Sequence, residues 1–323
     1  MPMNKETGRK MSLIVRILDS DIWYSFTRSK VTMIAALITF LIFASALFAP
    51  IISPHNPFDL ASLSLMDSLL PPAWSAEGDP NYLLGTDDQG RDVLSTILYG
   101  SRISLAVGLV SVAFAAVLGI TLGLIAGYMG GRVDAIIMRI ADVQLSFPAI
   151  LIALLIAGTV NALAGGMDRE RSAFTVLGIS IGLSFWVQYA RTVRSSTLVE
   201  RNKEYVQAAR LIGLHPFLIM LRHVLPNVMG PVLVIATINL ALAVITEATL
   251  SFLGVGIPGT QPSLGTMIRT GNDFLFSGEW WITLFPGAML AILVLAVNLL
   301  GDWLRDALNP KLRENHERSS SKR

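Results

Sequence analysis

Long uncharged runs alternate with short polar stretches along this chain. Val31 to Ile52 carries no Asp, Glu, Lys or Arg, and neither does Ile103 to Gly131. A third apolar run carries Arg139 and Asp142 near its start and continues through Pro148 to about Val160. Ser172 to Ala190, Val224 to Thr246 and Trp280 to Gly301 are again uncharged. About 20 apolar residues cross a bilayer core, and a backbone in lipid must satisfy its own hydrogen bonds, which a helix does. The pattern predicts an all-α polytopic membrane protein with six transmembrane helices. A cleaved signal peptide is rejected for Val31 to Ile52, because the run is too long and starts too late, and Ala44-Ser45-Ala46 is a weak cleavage site. Pro148 is expected to kink the third span.

The polar stretches add detail. In residues 1–30, Ile14, Val15, Ile17, Leu18, Ile22, Trp23 and Phe26 are spaced as the apolar face of a helix lying on a membrane surface. Residues 53–101 are acidic, with Arg91 as their only cation. A surface helix is expected from about Arg91, with Val93, Leu94, Ile97 and Leu98 facing lipid or protein. Gly119, Gly123 and Gly127 form a small-residue face for close helix packing. Asp168 to Arg171 reads as a mixed-charge loop, and Trp280, Trp281 and Trp303 read as interfacial anchors. Arg139 and Asp142 either act within the span or form an interfacial ion pair in its first turns.

Composition agrees with a membrane protein. Of 323 residues only 15% are charged, against about 25% in a soluble domain, and the mean hydropathy is +0.59. With no cysteine, disulfides and thiolate metal sites are excluded. A net charge of +2 does not argue for nucleic acid. The distribution of charge says more. With the N-terminus inside, inner segments hold about 20 of the 25 Lys and Arg, leaving Arg91, Arg102, Arg169, Arg171 and Arg269 outside. That bias is the positive-inside rule, and it places both termini and residues 191–227 in the cytoplasm.

The most polar part of the second half is Glu204-Tyr-Val-Gln-Ala-Ala-Arg-Leu-Ile-Gly213, followed by Leu-His-Pro216 and then His223-Val-Leu-Pro226-Asn227. It reads as helix, stop, helix. Tyr205 to Ile212 contains good helix formers, Gly213 suits a positive-φ helix end, and Pro216 suits a first turn. Ala208 and Ala209 are small enough for another protein surface to approach. Pro226 marks the start of the next apolar run.

This stretch resembles the EAA loop of ABC importer permeases, carried by Gln207-Ala208-Ala209, Gly213 and His223-Val224-Leu225-Pro226. Gln207 replaces the usual Glu and His223 the usual Ile. The His-Val-Leu-Pro-Asn ending is similar to the peptide/opine/nickel branch, of the dipeptide/oligopeptide C type. Further matches are Leu84-Gly-Thr-Asp-Asp-Gln-Gly-Arg-Asp92, Tyr99-Gly-Ser-Arg-Ile-Ser-Leu105, Glu247-Ala-Thr-Leu-Ser-Phe-Leu-Gly254 and Pro262-Ser-Leu-Gly-Thr-Met267. Leu264 stands where the family commonly has Trp. The tail Gly301 to Arg313 also matches.

The resemblance implies an ABC type I importer permease fold in a bacterial inner membrane. Residues 1–30 are then a cytoplasmic segment, 31–52 the first span, and 53–101 periplasmic. Residues 102–313 are the permease core, with its coupling loop at 191–227, and 314–323 a cytoplasmic tail. The implied partners are a second homologous permease, two cytoplasmic ATPase subunits, a periplasmic or lipoprotein solute-binding protein, and membrane lipid. Glu204, Gln207, Ala208, Ala209, Gly213, His223, Leu225 and Pro226 would couple to the ATPase, with Arg201, Lys203, Arg210 and Arg222 at its groove rim. Glu247 either lines the pathway as an outer gate or is a buried carboxylate hydrogen-bonded to backbone. The expected cargo is di- or oligopeptides, with nickel chelates, opines or glutathione as alternatives.

The chain has no phosphate-cradling Gly-x-x-x-x-Gly-Lys-[Ser/Thr], so ATP and Mg would be bound by partner subunits. No catalytic or metal site and no cofactor is expected in the chain itself. His55, His215, His223 and His316 fall outside or at the edges of spans. No span carries a central Asp, Glu or Lys suited to proton or sodium coupling, which argues against a secondary carrier.

Overall fold

A computed structural model describes residues 21–59, 63–163 and 166–308. The readings for residues 1–20, for Asn309 to Arg313 and for the tail 314–323 lie outside these. The regular elements among the described residues are helices, with one isolated antiparallel bridge, Thr86 to Asp92, in the mostly irregular stretch before Val93. In chain order they are α1 (Asp21–Arg28), α2 (Lys30–Leu47), α3 (Ala49–Ile52), α4 (Val93–Met129), α5 (Gly131–Leu145), α6 (Ala149–Leu163) and α7 (Gly166–Glu200). There follow α8 (Glu204–Leu211), α9 (Pro216–Ile219), α10 (Leu225–Phe252), α11 (Leu264–Phe274) and α12 (Trp281–Ala307).

Five stretches are long and apolar enough to cross a membrane: Lys30–Leu47, Val93–Met129, Ala173–Glu200, Pro216–Phe252 and Trp281–Ala307. The pair α5 and α6 meets the same measure only when taken together, and it is bent by 91° at the break before Ala149. Proline disfavours the α conformation in the residue before it, so at Phe147-Pro148 the expected kink is a full break.

Several boundaries differ from the sequence reading. The helix expected on the surface from Arg91 is the first part of α4, with Asp92 as its N-cap accepting from Ser95 N at 2.9 Å. Of the two surroundings expected for Val93 and Ile97, lipid or protein, it is protein that covers them. The Asp168 to Arg171 stretch continues as helix in α7. The helical run that contains the fifth apolar stretch begins at Pro216, ahead of Val224. A π-helical turn, Met220–Val224, joins α9 to α10 just before Pro226. Widening that turn lets the helix pass a residue with no N–H and a ring that crowds the preceding carbonyls. Trp281 is buried and donates to Thr86 O at 3.1 Å, so it is an internal pin rather than an interfacial anchor. Trp280 is exposed.

The bundle is centred on α4 against α7. A Cβ at Gly119 would stand 2.4 Å from Trp186 O, at Gly123 2.6 Å from Ala190 O, and at Gly127 2.9 Å from Arg194 O. The small-residue face is thus filled by the backbone of α7. One apolar cluster continues from this seam into α6, α8 and α10, through Ala153, Val206, Ala209, Val224 and Val228. A second joins α2, α4, α10 and α12 through Ile42, Leu105, Val244 and Leu293. Large apolar side chains such as Phe40 and Leu155 remain exposed on the outside of the bundle.

Candidate functional site

α8 is a two-turn helix at the end of the bundle where α4 finishes. It is stopped by Gly213, which adopts φ +77°. Leu214 N donates to Ala209 O at 3.1 Å and Gly213 N to Arg210 O at 3.0 Å, the paired bonds of a Schellman end. His215 Nδ1 then accepts from Phe217 N at 3.3 Å, capping α9 ahead of Pro216.

The two alanines face opposite ways. Ala209 is 3% exposed and belongs to the core with Val206, whereas Ala208 is exposed. Glu204, Gln207 and Gly213 are also on the outer face, and Leu211 and Ile212 are 89% and 76% exposed. With Phe217 and Leu221 they form an apolar surface beyond the last turn of α8. Pro226 is exposed, and His223 and Leu225 are half-buried at the base of the span.

Polar bonds fasten α8 and the turn that leads into it to three neighbours. Arg201 Nη1 donates to Gly127 O at 2.8 Å, satisfying a carbonyl in the last turn of α4. Arg210 Nε donates to Tyr128 OH at 3.2 Å, and its guanidinium lies 4.7 Å from the Tyr128 ring centre. Lys203 Nζ pairs with Glu200 at 2.9 Å. Arg201, Lys203 and Arg210, expected at a partner's groove, therefore each have partners within this chain, while Arg222 is exposed. The Tyr205 hydroxyl donates to the Glu200 carboxylate and accepts from Asn227 Nδ2 at 3.1 Å. Asn227 Nδ2 also donates to His223 O at 2.7 Å. Partial burial, then the bond to the Glu200 carboxylate, push the Tyr205 phenol up to about 12. Tyr205 and Asn227 were read only as parts of a motif. Their pairing across 22 residues of sequence leaves no local signal.

At the other end of the bundle lies a second polar centre. Glu247 is 0% exposed. Ser104 Oγ donates to its Oε2 at 2.6 Å and Ser251 Oγ to its Oε1 at 2.7 Å. These hydroxyls in turn accept from Leu264 N at 3.3 Å and Ile257 N at 3.2 Å. Glu247 is thus buried, but its donors are side chains rather than the expected backbone. Ser104 and Glu247 come from two of the sequence motifs noted above, and Leu264 from a third. α11 lies close against α10, since a Cβ at Gly265 would be 2.3 Å from Ala248 O. Asp142 pairs with Arg191 at 2.5 Å and Asp134 with Arg194 at 2.5 Å. Arg139 is exposed and takes no part in these pairs.

Residues 119–314 match the family described as binding-protein-dependent transport system inner membrane component. Residues 20–72 match the N-terminal TM domain of oligopeptide transport permease C. The chain is 38% identical over 294 residues to the di/tripeptide transport system permease protein DppC of Pseudomonas aeruginosa, covering 91% of this chain and 92% of the relative. It is 37% identical to the dipeptide transport system permease protein DppC of Haemophilus influenzae, covering 91% and 95%. Its fold is similar to a chain of the inward-facing MetNI methionine ABC transporter, with TM-score 0.51, 21% identity, and 67% of this chain and 97% of that chain covered.

Proposed function

This chain belongs to the family of binding-protein-dependent transport system inner membrane components, and from that premise we propose that it is a permease subunit of an ATP-driven importer of di- or oligopeptides. The observation that carries the reading is α8 itself, an outward-facing helix locked to the bundle at one end of the chain's spans. The relatives named for dipeptide and di/tripeptide transport support the cargo class.

In this reading the protein sits in a bacterial inner membrane with both termini in the cytoplasm. A second homologous permease completes the pathway, two ABC ATPase subunits bind ATP and Mg, and a solute-binding protein delivers the peptide from outside. The outer face of α8 docks on an ATPase through Ala208, Leu211 and Ile212, and Glu204 and Gln207 lie beside them. When the ATPase pair closes, α8 is displaced. Val206 and Ala209 pack it into the core, Arg201 and Arg210 tie it to α4, and Tyr205 ties it to α7 and α10. A displacement of α8 is therefore passed to three spans at once. Glu247 acts as an internal brace at the outer end in this conformation, where it is closed off from any pathway.

The test is ATP hydrolysis by the assembled complex in lipid, with its binding protein, against di-, tri- and oligopeptides and nickel chelates. Stimulation by short peptides supports the reading. Stimulation by a metal chelate or an opine alone keeps the mechanism and overturns the cargo.

A further inference from the structure

A cavity of about 750 Å³ opens where α4 begins, with Phe58, Arg91, Tyr99, Arg102, Phe174 and Gln261 in its wall. From Ala106 at its inner edge to Tyr128 beside α8, the helix α4 rises roughly 33 Å at 1.5 Å per residue. That is about the thickness of a bilayer core, so the cavity lies at the opposite membrane face from α8. Its volume suits a small ligand, for which pockets of about 300–1,000 Å³ are usual.

Two guanidinium groups meet this space. Arg91 is 5% exposed, and it donates from Nε to Asp87 Oδ2 at 2.6 Å and from Nη1 to Gly259 O at 3.1 Å. Its charge is thus balanced by Asp87. Arg102 differs: it is exposed, and it has no ion pair among the described residues. The preceding segment, residues 53–101, holds seven Asp and Glu with Arg91 as its only Lys or Arg. Arg102 is therefore an exposed cation with no ion pair among the described residues, and it follows in sequence a segment rich in carboxylates. Phe58 and Tyr99, edge to face with centres 5.1 Å apart, provide an apolar wall beside it.

We infer that this cavity receives a short peptide as it leaves the binding protein, with Arg102 as the partner of the peptide's C-terminal carboxylate. The inference rests on the peptide reading above. A free peptide at neutral pH is a zwitterion. Its ammonium end suits the acidic segment. Its carboxylate needs a cation, and a guanidinium offers two parallel N–H donors for it. The aromatic wall accepts side chains of varied size without selecting among them. Without Arg102, the carboxylate of a peptide released into the cavity has no free counter-charge to hold it while the outer side closes, and the peptide escapes back outside.

The experiment uses the whole complex in proteoliposomes with its binding protein, measuring labelled dialanine uptake and ATP hydrolysis together. In Arg102→Gln, stimulation of hydrolysis by loaded binding protein is expected to stay unchanged. Dialanine delivered per ATP is expected to fall about tenfold, the size of one charge-assisted hydrogen bond. Arg102→Lys should restore only part of it, because an ammonium keeps the charge but not the paired donors, and both variants should reach the membrane at normal levels because the position is exposed. Unchanged delivery per ATP in Arg102→Gln overturns the inference alone. So does a joint loss of uptake and stimulation, which would make Arg102 a docking contact for the binding protein. If the unsubstituted complex responds to no short peptide, the peptide reading falls, and the inference with it.

Discussion

Asn227, at the base of α10, holds the hydroxyl of Tyr205 on α8 at 3.1 Å. The same hydroxyl donates to Glu200 at the end of α7, so one phenol joins three helices. Tyr205→Phe keeps the ring and removes both bonds. The complex should assemble and hydrolyse ATP, while peptide delivered per ATP falls several-fold. Asn227→Ala should do the same, and the double variant should be little worse than either single one, because all act through one network. Normal delivery per ATP in Tyr205→Phe would remove the hydroxyl from the coupling scheme.

Ala208 and Ala209 should fail differently. Ala208→Arg adds a side chain to an exposed face, so the permease should reach the membrane but lose ATPase binding and uptake. Ala209→Arg forces a charge into a core position that is 3% exposed. It should lower the amount of folded permease itself. Co-purification of the ATPase subunits separates the two outcomes, and normal uptake with Ala208→Arg would sink the docking assignment.

The α4–α7 seam leaves no room for a side chain. Gly123→Leu should destabilise the permease by at least about 1–3 kcal/mol, the usual cost of overpacking, since its Cβ alone would stand 2.6 Å from Ala190 O. Gly230→Ala meets nothing within 4 Å and serves as the control. Thermal unfolding of the detergent-solubilised protein measures both, and equal melting temperatures would contradict the packing.

Glu247 separates a brace from a gate. Glu247→Ala leaves the hydroxyls of Ser104 and Ser251 without their acceptor, at about 1–3 kcal/mol for each buried group. Thermal stability should drop together with uptake. Lost uptake at unchanged stability would instead assign the carboxylate to the pathway.

Sidedness can be read by labelling, because the chain has no cysteine to interfere. In intact cells, an impermeant maleimide should label Ala76→Cys from outside and should reach Arg132→Cys only after the membrane is opened, both positions being exposed. The reverse pattern would invert the proposed orientation.

Much of this was legible in residue order because lipid imposes a simple code. An uncharged run of about 20 residues has few alternatives to a spanning helix, so six spans were countable before any contact was known. The stop at Gly213 was equally local, because a positive φ after a helix favours glycine. Gly119, Gly123 and Gly127 announced a close helix contact by spacing alone, though not that α7 was the partner.

Other features depend on pairs of groups far apart in the chain. Nothing near Ala208 and Ala209 says which one turns inward; the core against α4, α7 and α10 decides it. Arg201 and Arg210 looked like free cations for a partner until the end of α4 was placed beside them. Trp281 lies at the edge of an apolar run, where aromatic anchors are common, yet the Thr86 carbonyl draws it inside. Residue order alone marks the apolar runs and the helix stops and predicts an orientation from charge, because each depends on solvent preference or local backbone geometry. The outward face of α8, the bracing of Glu247 and the unmatched charge of Arg102 were decided only by the tertiary structure, because each is a property of what lies opposite a side chain.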